Sequence, residues 1–140
     1  MITGNLNTLS SKRLIGGRYI TNTYGAEFVS RLSDEVTFFN SIATATGTTA
    51  SYKADWANTG VIFINTTAVS GTTPSCTVTV NSVDFVSGNS YTLATSTAIT
   101  ASGFTYITIP QVYGDTLNIT YTITGTTPSF TMSISGVFKG

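Results

Sequence analysis

The chain contains no histidine and a single cysteine, Cys76. Without histidine it lacks the commonest general base, the histidine-dependent catalytic triads and most zinc sites. One cysteine cannot form a disulfide within the chain. Because Cys76 opens the alternating segment Cys76–Val80, the pattern predicts a small buried core residue rather than a nucleophile. The sequence therefore has few of the side chains on which catalysis usually depends.

Charge is equally scarce. Only 9% of the residues are charged, and six basic residues balance six acidic ones, whereas about 25% is usual. The acids are scattered singly except for Asp34–Glu35, which is typical of solvated surface positions, and no calcium-binding loop is present. Nucleic-acid binding requires clustered positive charge. We therefore expect no enzymatic activity, no metal or other cofactor, and no nucleic-acid partner.

Long apolar runs are also missing. The longest, Val61–Ile64, has four residues, whereas a membrane-spanning helix needs about 20. The first residues show no apolar core of a secretory signal. The sequence therefore predicts no membrane partner.

Threonine and serine, in contrast, are abundant: 29 and 16 residues of the 140. They alternate with apolar residues over Leu117–Thr124 and again over Phe130–Ser135. A period of two predicts antiparallel strands with one buried face and a threonine-rich outer face. The intervening Gly125–Ser129 has the length and composition of a turn, so these two strands are predicted to form a β-hairpin.

The five-residue sequence Gly-Thr-Thr-Pro-Ser occurs twice, at Gly71–Ser75 and 54 residues later at Gly125–Ser129. Two hairpins with one turn chemistry predict equivalent places in two facing sheets. The predicted fold class is therefore all-β, an antiparallel β-sandwich or jelly-roll-like domain. Further strands are predicted at Val61–Val69 (central, covered on both faces), Val83–Val86, Tyr91–Leu93, Ala98–Thr100 and Phe104–Ile109. The predicted core consists of Trp56, Ile62, Ile64, Val78, Val80, Phe85, Leu93, Phe104, Ile107, Ile109, Leu117, Ile119, Tyr121, Ile123, Phe130, Met132 and Ile134.

Residues 1–35 differ from the remainder, since they carry four of the six basic residues. We expect them to form an extended N-terminal arm, with a short helix over residues 26–32, in front of a sandwich domain spanning 36–140. The arm has more apolar residues than a segment left in water would carry. The candidate interface residues of the arm are Lys12, Arg13, Arg18, Tyr19, Ile20 and Tyr24.

Residues 60–138 contain no lysine or arginine. Monomeric sheet proteins commonly protect exposed strand edges with such charges. The poorly protected edges predict a homo-oligomer, and a closed ring such as a trimer is the expected form.

Three segments in order, Asn65–Val80, Ala98–Gly103 and Gly125–Thr131, resemble small virion proteins of tailed bacteriophages. This resemblance implies a decoration or cement protein that binds the outside of the capsid. The major capsid protein would then be its partner, with the arm cations pairing with capsid carboxylates. The implied location is the virion surface, after synthesis in the host cytoplasm.

Two other functions stay open at this point. One is an adhesion or carbohydrate-binding module on a phage tail or surface. Its candidate aromatic residues are Trp56, Tyr52, Tyr91, Tyr106 and Tyr113, with Asp55 beside the tryptophan. The other is a tail-tube or major capsid protein.

Overall fold

The computed structural model describes residues 10–13, 20–23, 33–109 and 114–140. Every regular element in these ranges is a β-strand. The strands are β1 (Ser10–Arg13), β2 (Ile20–Thr23), β3 (Ser33–Ala43), β4 (Gly47–Thr48), β5 (Tyr52–Lys53), β6 (Thr59–Val83), β7 (Ser90–Thr95), β8 (Gly103–Ile109) and β9 (Thr116–Lys139). The contacts within the chain divide it into two units. The larger unit contains residues 35–138, and the smaller unit contains residues 1–34 with 139–140.

In the smaller unit, β1 and β2 pair antiparallel. Ser10 lies opposite Thr23 at one end of the pair, and Arg13 lies opposite Ile20 at the other. The helix expected over residues 26–32 lies outside the described residues. The boundary between an arm and a sandwich domain stays a prediction.

The larger unit contains one seven-stranded sheet with the order β3-β9-β6-β7. The short strands β4 and β5 pair with β9, and β8 pairs with β6. All four of the pairings β4–β9, β5–β9, β7–β6 and β8–β6 are antiparallel. The prediction of an all-β, antiparallel fold is confirmed.

The predicted hairpin is wrong, because β9 continues through Gly125–Ser129 as one strand, and β6 continues through Gly71–Ser75 in the same way. The two repeated segments lie against each other instead of folding back. A Cβ on Gly71 would lie 2.7 Å from the carbonyl oxygen of Thr127, and one on Gly125 would lie 2.9 Å from that of Thr73. The backbones of the two long, paired strands therefore meet at the two copies of the repeated sequence, a contact that we term the crossing.

Both copies also share one unusual backbone conformation. The glycines have φ values of 116° and 121°, and Thr73 and Thr127 have φ values of 47° and 46°. A β-branched residue in this left-handed region is strained. Each of these threonine hydroxyls donates a 2.8 Å hydrogen bond to the carbonyl of the preceding threonine, which fixes the conformation locally.

The sheet folds on itself so that its two halves pack face to face. Tyr52 of β5 pairs with Leu117, in the first part of β9. Its ring stacks on Phe138, in the last part of the same strand, with ring centroids 5.0 Å apart. The two parts of β9 therefore belong to opposite layers of a sandwich.

The layers repeat each other. The backbone pair Leu117–Tyr52 in one layer has a counterpart in Ile62–Ile107 of the other, 55 residues away on both strands. Leu117, Ile62 and Ile107 all point into the core. This correspondence agrees with the repeat in the sequence, but the structure has one sheet with continuous strands in place of the predicted two hairpins in facing sheets.

Most of the predicted core is buried. The buried members are Ile62, Ile64, Val78, Val80, Ile107, Ile109, Leu117, Ile119, Phe130, Met132 and Ile134, and the partly buried ones are Trp56, Leu93, Tyr121 and Ile123. The prediction of burial is wrong for Phe85 and Phe104, whose side chains are 79% and 64% exposed. Val61–Val69 is part of the central strand β6 but is covered on one face only, because its buried residues alternate with partly or fully exposed ones. Val83 ends β6, so no separate strand follows there.

Cys76 is fully buried, as predicted, and burial raises the pKa of its thiol to about 11. An unfolded cysteine titrates near pH 8.5. Because the folded state holds the thiol proton more tightly, this stabilising effect is complete below pH 8.5 and is lost as the pH rises from there towards 11.

Unfolding free energies measured between pH 8.5 and pH 11 should therefore fall more steeply for the wild type than for Cys76→Ala. Equal slopes would contradict the assignment, since the two proteins differ only at residue 76.

The contact between the repeated segments can be tested at Gly125. Gly125→Ala should lower the free energy of unfolding by about 3 kcal/mol or more, because the new methyl group meets opposing backbone at a positive φ. Gly88→Ala is the matched control. Its φ is also positive (77°), but nothing lies within 4 Å of the added Cβ, so only a conformational penalty of about 1–2 kcal/mol is expected. Equal losses in urea unfolding would show that no close contact exists.

Candidate interaction surface

The sequence-predicted interface residues lie in the smaller unit. Lys12 and Arg13 are on β1, and their backbones pair with Thr21 and Ile20 of β2. The other three, Arg18, Tyr19 and Tyr24, lie outside the described residues. The interface role of all six residues stays a prediction.

In the larger unit, the outer surface of one layer carries exposed aromatic rings beside polar residues such as Thr67, whose hydroxyl donates to the Thr131 carbonyl. On β6 and β8 the residues Ile62, Ile64 and Ile107 point inward, so their neighbours point outward. Phe63 pairs directly with Tyr106, and the Phe63 ring stacks on that of Phe104 with centroids 5.8 Å apart. Phe104 and Tyr106 are 64% and 61% exposed. These three residues form what we term the aromatic face.

The corresponding outer surface of the other layer is polar. Asn81 donates hydrogen bonds of 3.0 Å to Asn118 and to Thr120 across the β6–β9 pair. The Thr120 hydroxyl is 3.2 Å from that of Thr48 on β4. On the β6–β7 pair the Thr79 and Thr95 hydroxyls are 3.3 Å apart. We term this surface the hydroxyl–amide face. Its polar side chains form hydrogen bonds with one another, and the surface suits contact with water.

A second group of exposed apolar side chains lies on the turn after β6. Phe85 and Val86 are 79% and 78% exposed. The Asp84 carboxylate accepts hydrogen bonds from the backbone amides of Val86 and Ser87 and from the Ser87 hydroxyl. The hydrogen bonds from Ser87 lower the pKa of Asp84, and together these bonds hold the turn in one conformation.

Lys53, on β5, forms ion pairs with two acidic residues. Lys53 Nζ is 3.4 Å from Asp55 and 3.5 Å from Asp115, and these carboxylates raise the pKa of the lysine, Asp115 more strongly. Within the described ranges, no group of three histidine, cysteine or acidic side chains is placed to hold a metal. Nor does any helix there have the length and hydropathy to cross a membrane.

The aromatic residues suggested for sugar binding are dispersed. Tyr52 and Trp56 pack against the core, and Asp55 pairs with Lys53. Tyr113 lies outside the described residues. Tyr106 joins the aromatic face, whereas Tyr91, on β7, is 53% exposed.

The sequence contained the signal for the aromatic face. Phe104 and Ile107 are three residues apart, so a strand places them on opposite faces. Since Ile107 and Ile109 are buried, Phe104 and Tyr106 must point outward. Assigning both Phe104 and Ile107 to the core ignored this alternation.

Beside Phe104 lies a small open cavity, which we term the Thr66 cavity. Its volume is about 180 Å³, and it is lined by Thr66, residues 97–101 and residues 103–105. Thr66 is only 3% exposed, and its hydroxyl has no hydrogen-bond partner among the described residues. A buried hydroxyl without a partner costs about 1–3 kcal/mol.

Comparison with known proteins gives remote similarities only. No protein-family model matches the chain, and no curated protein matches it. The chain is similar to the crystal structure of PirA, with a TM-score of 0.44 and 8% identity, over 81% of this chain and 97% of that one. It is similar to the SPBc2 prophage-derived protein YomS, with a TM-score of 0.44 and 14% identity, over 81% and 99% of the two chains. Similarity to a structure of infectious bursal disease virus, Gx strain, has a TM-score of 0.42 and 16% identity, over 76% of this chain and 29% of that one. At these values the likeness carries no argument about function.

The unpartnered hydroxyl predicts that Thr66→Val stabilises the protein. Valine has nearly the same shape and removes a buried polar atom, so the free energy of unfolding should rise by about 1 kcal/mol. Thr108→Val, on β8 and exposed to solvent, is the control and should change little. Urea unfolding of the three proteins measures this. A clear loss of stability in Thr66→Val would show that the hydroxyl is satisfied.

Proposed function

We propose that this chain is a structural protein of a bacteriophage virion that binds the outside of the capsid and bridges capsid subunits. It acts without chemistry of its own, as a homo-oligomer for which a trimer is the expected ring. The observation that carries the proposal is the exposed aromatic face on an almost uncharged domain.

Exposed apolar side chains on a folded domain mark a surface that a partner covers. Aromatic residues are also those that contribute most to binding at protein interfaces. The rings of Phe63 and Phe104 already contact each other in the free chain. Little side-chain entropy is then lost on association, which favours binding.

The position of this face favours a protein partner. Among the described strands β8 pairs only with β6, so it is an edge of the sheet. Its sequence, Gly103–Ile109, contains neither a charge nor a proline to protect that edge. An edge strand of this kind can pair with another chain while Phe104 and Tyr106 pack against it.

Bridging explains why an oligomer suits the task. Each copy attached to the shell raises the effective concentration of the next contact, so modest individual contacts add to a firm attachment. The predicted arm contacts of Lys12, Arg13 and Arg18 with capsid carboxylates would add to those of the aromatic face.

The test removes the aromatic side chains from the face. Phe104→Ser combined with Tyr106→Ser should reduce binding to purified heads of the phage that encodes the chain by at least about tenfold. The measurement is co-sedimentation of the protein with heads, together with light scattering for the mass of the free protein. Both substituted positions are exposed, so the fold should be retained.

Tyr91→Ser is the matched control, because it removes one exposed aromatic ring that lies outside the aromatic face. It should bind heads like the wild type. The proposal is wrong if wild-type protein stays in the supernatant at all head concentrations. It is also wrong in its choice of surface if the double variant still decorates heads fully.

A further inference from the structure

We propose that two copies of this chain pair through the free edge of β8, antiparallel and about a two-fold axis at Thr105. The inference deepens the proposed function, because it rests on the homo-oligomer proposed there and names the edge and the symmetry of the contact between copies. Whereas the sequence favours a closed ring such as a trimer, the edge itself favours a pair.

The edges of the sheet differ in how they are protected. Within the described part of the chain, β3, β4, β5, β7 and β8 each pair with one strand only. The strand β3 carries Asp34 and Glu35, and β4 and β5 have two residues each. The strand β7 contains a bulge, at which Leu93 is skipped in the register with β6. Charge, shortness and bulges are features that keep the edges of sheets from pairing with other chains.

The strand β8 has none of these features. Its seven residues, Gly103–Ile109, include no charge and no proline, and they pair with Gly60–Thr66 of β6 in one unbroken register. In an antiparallel pair, alternate residues direct their N–H and C=O groups at the neighbouring strand, and the others direct them away from it. The second set on β8 has no strand beside it among the described residues, so a further strand would supply its hydrogen bonds.

The charge of the chain favours a second copy as that further strand. Identical strands bring identical charges together, and like charges opposite each other oppose pairing. This obstacle is missing here, because residues 60–138 contain no lysine or arginine, and their only acids, Asp84 and Asp115, lie outside β8. The formal net charge of the chain is zero, so long-range repulsion between copies is also small.

The side chains of β8 fit a two-fold axis at Thr105. In this register Phe104 of each copy lies opposite Tyr106 of the other, so two aromatic cross-strand pairs form, and such pairs stabilise a sheet. Both side chains are exposed in the single chain, and the contact of Phe104 with Phe63 already orients its ring. The pairing also joins two aromatic faces into one surface, whose outward side stays available to a capsid.

Substitutions at the axis test this pairing, because Thr105 of one copy lies opposite Thr105 of the other. The free wild type should have twice the mass of one chain in light scattering over a dilution series. Thr105→Lys or Thr105→Glu alone should raise the dissociation constant about fivefold or more, since like charges then face each other. An equimolar mixture of the two variants should recover the pairing, since opposite charges then meet.

Thr92→Lys is the matched control, because it adds the same charge to an exposed threonine on the bulged edge strand β7. It should keep the wild-type mass. A second measurement needs no substitution. In the wild type, the β8 amides that are directed away from β6 should exchange their hydrogens more slowly as the protein concentration rises.

Several results would overturn the pair. A wild type that stays monomeric at all concentrations would do so, as would a mass of three chains, which favours the ring. So would a folded Thr105→Lys variant that pairs like the wild type, a mixture that does not recover pairing, or β8 exchange that is independent of concentration. All these measurements use the free protein. Failure of a pairing wild type to bind heads would therefore overturn only the capsid attachment.

Discussion

The contact between the two Gly-Thr-Thr-Pro-Ser segments is the constraint on which the sandwich depends. At this contact the glycine of each strand leaves no room for a side chain, since opposing backbone lies within 3.0 Å of any added Cβ. The two long, paired strands can then lie close together here and continue from one layer into the other. Every other strand of the sheet pairs with one of these two, so both layers and the core between them are built on the crossing.

This architecture produces two unlike surfaces from two similar halves. Where the repeat is retained, in the inward positions, both layers bury comparable apolar residues. On the outside the halves differ: one surface is a set of threonine and asparagine side chains that bond one another, whereas the other adds exposed aromatic rings to its polar residues. With almost no charge to distinguish the surfaces, this difference in hydrophobicity determines which of the two favours a partner. The proposed attachment lies where the halves differ.

The sequence predicted the alternation and most of the core, because a period of two is a local property of the chain, but the predicted strands Val83–Val86 and Ala98–Thr100 are not separate strands. It failed at Gly125–Ser129, where turn-forming residues serve a crossing between strands instead of a turn. Local preferences cannot distinguish these outcomes, since the opposing segment is 54 residues away. Phe104 was wrongly assigned to the core, although its separation of three residues from Ile107 already placed the two side chains on opposite faces of a strand. The Thr66 cavity could not be predicted, because residues 97–105 meet Thr66 only through long-range pairing.

The crossing is tested most directly by nuclear Overhauser effects between α-protons. A Cβ on Gly71 would lie 2.8 Å from Cα of Pro128, and one on Gly125 would lie 3.0 Å from Cα of Pro74. Strong effects are therefore expected between the α-protons of Gly71 and Pro128 and between those of Gly125 and Pro74. Cross-strand effects linking Ile123 to Phe130 in their place would mean that each segment folds back as a hairpin, and would contradict the architecture on which the proposed function rests.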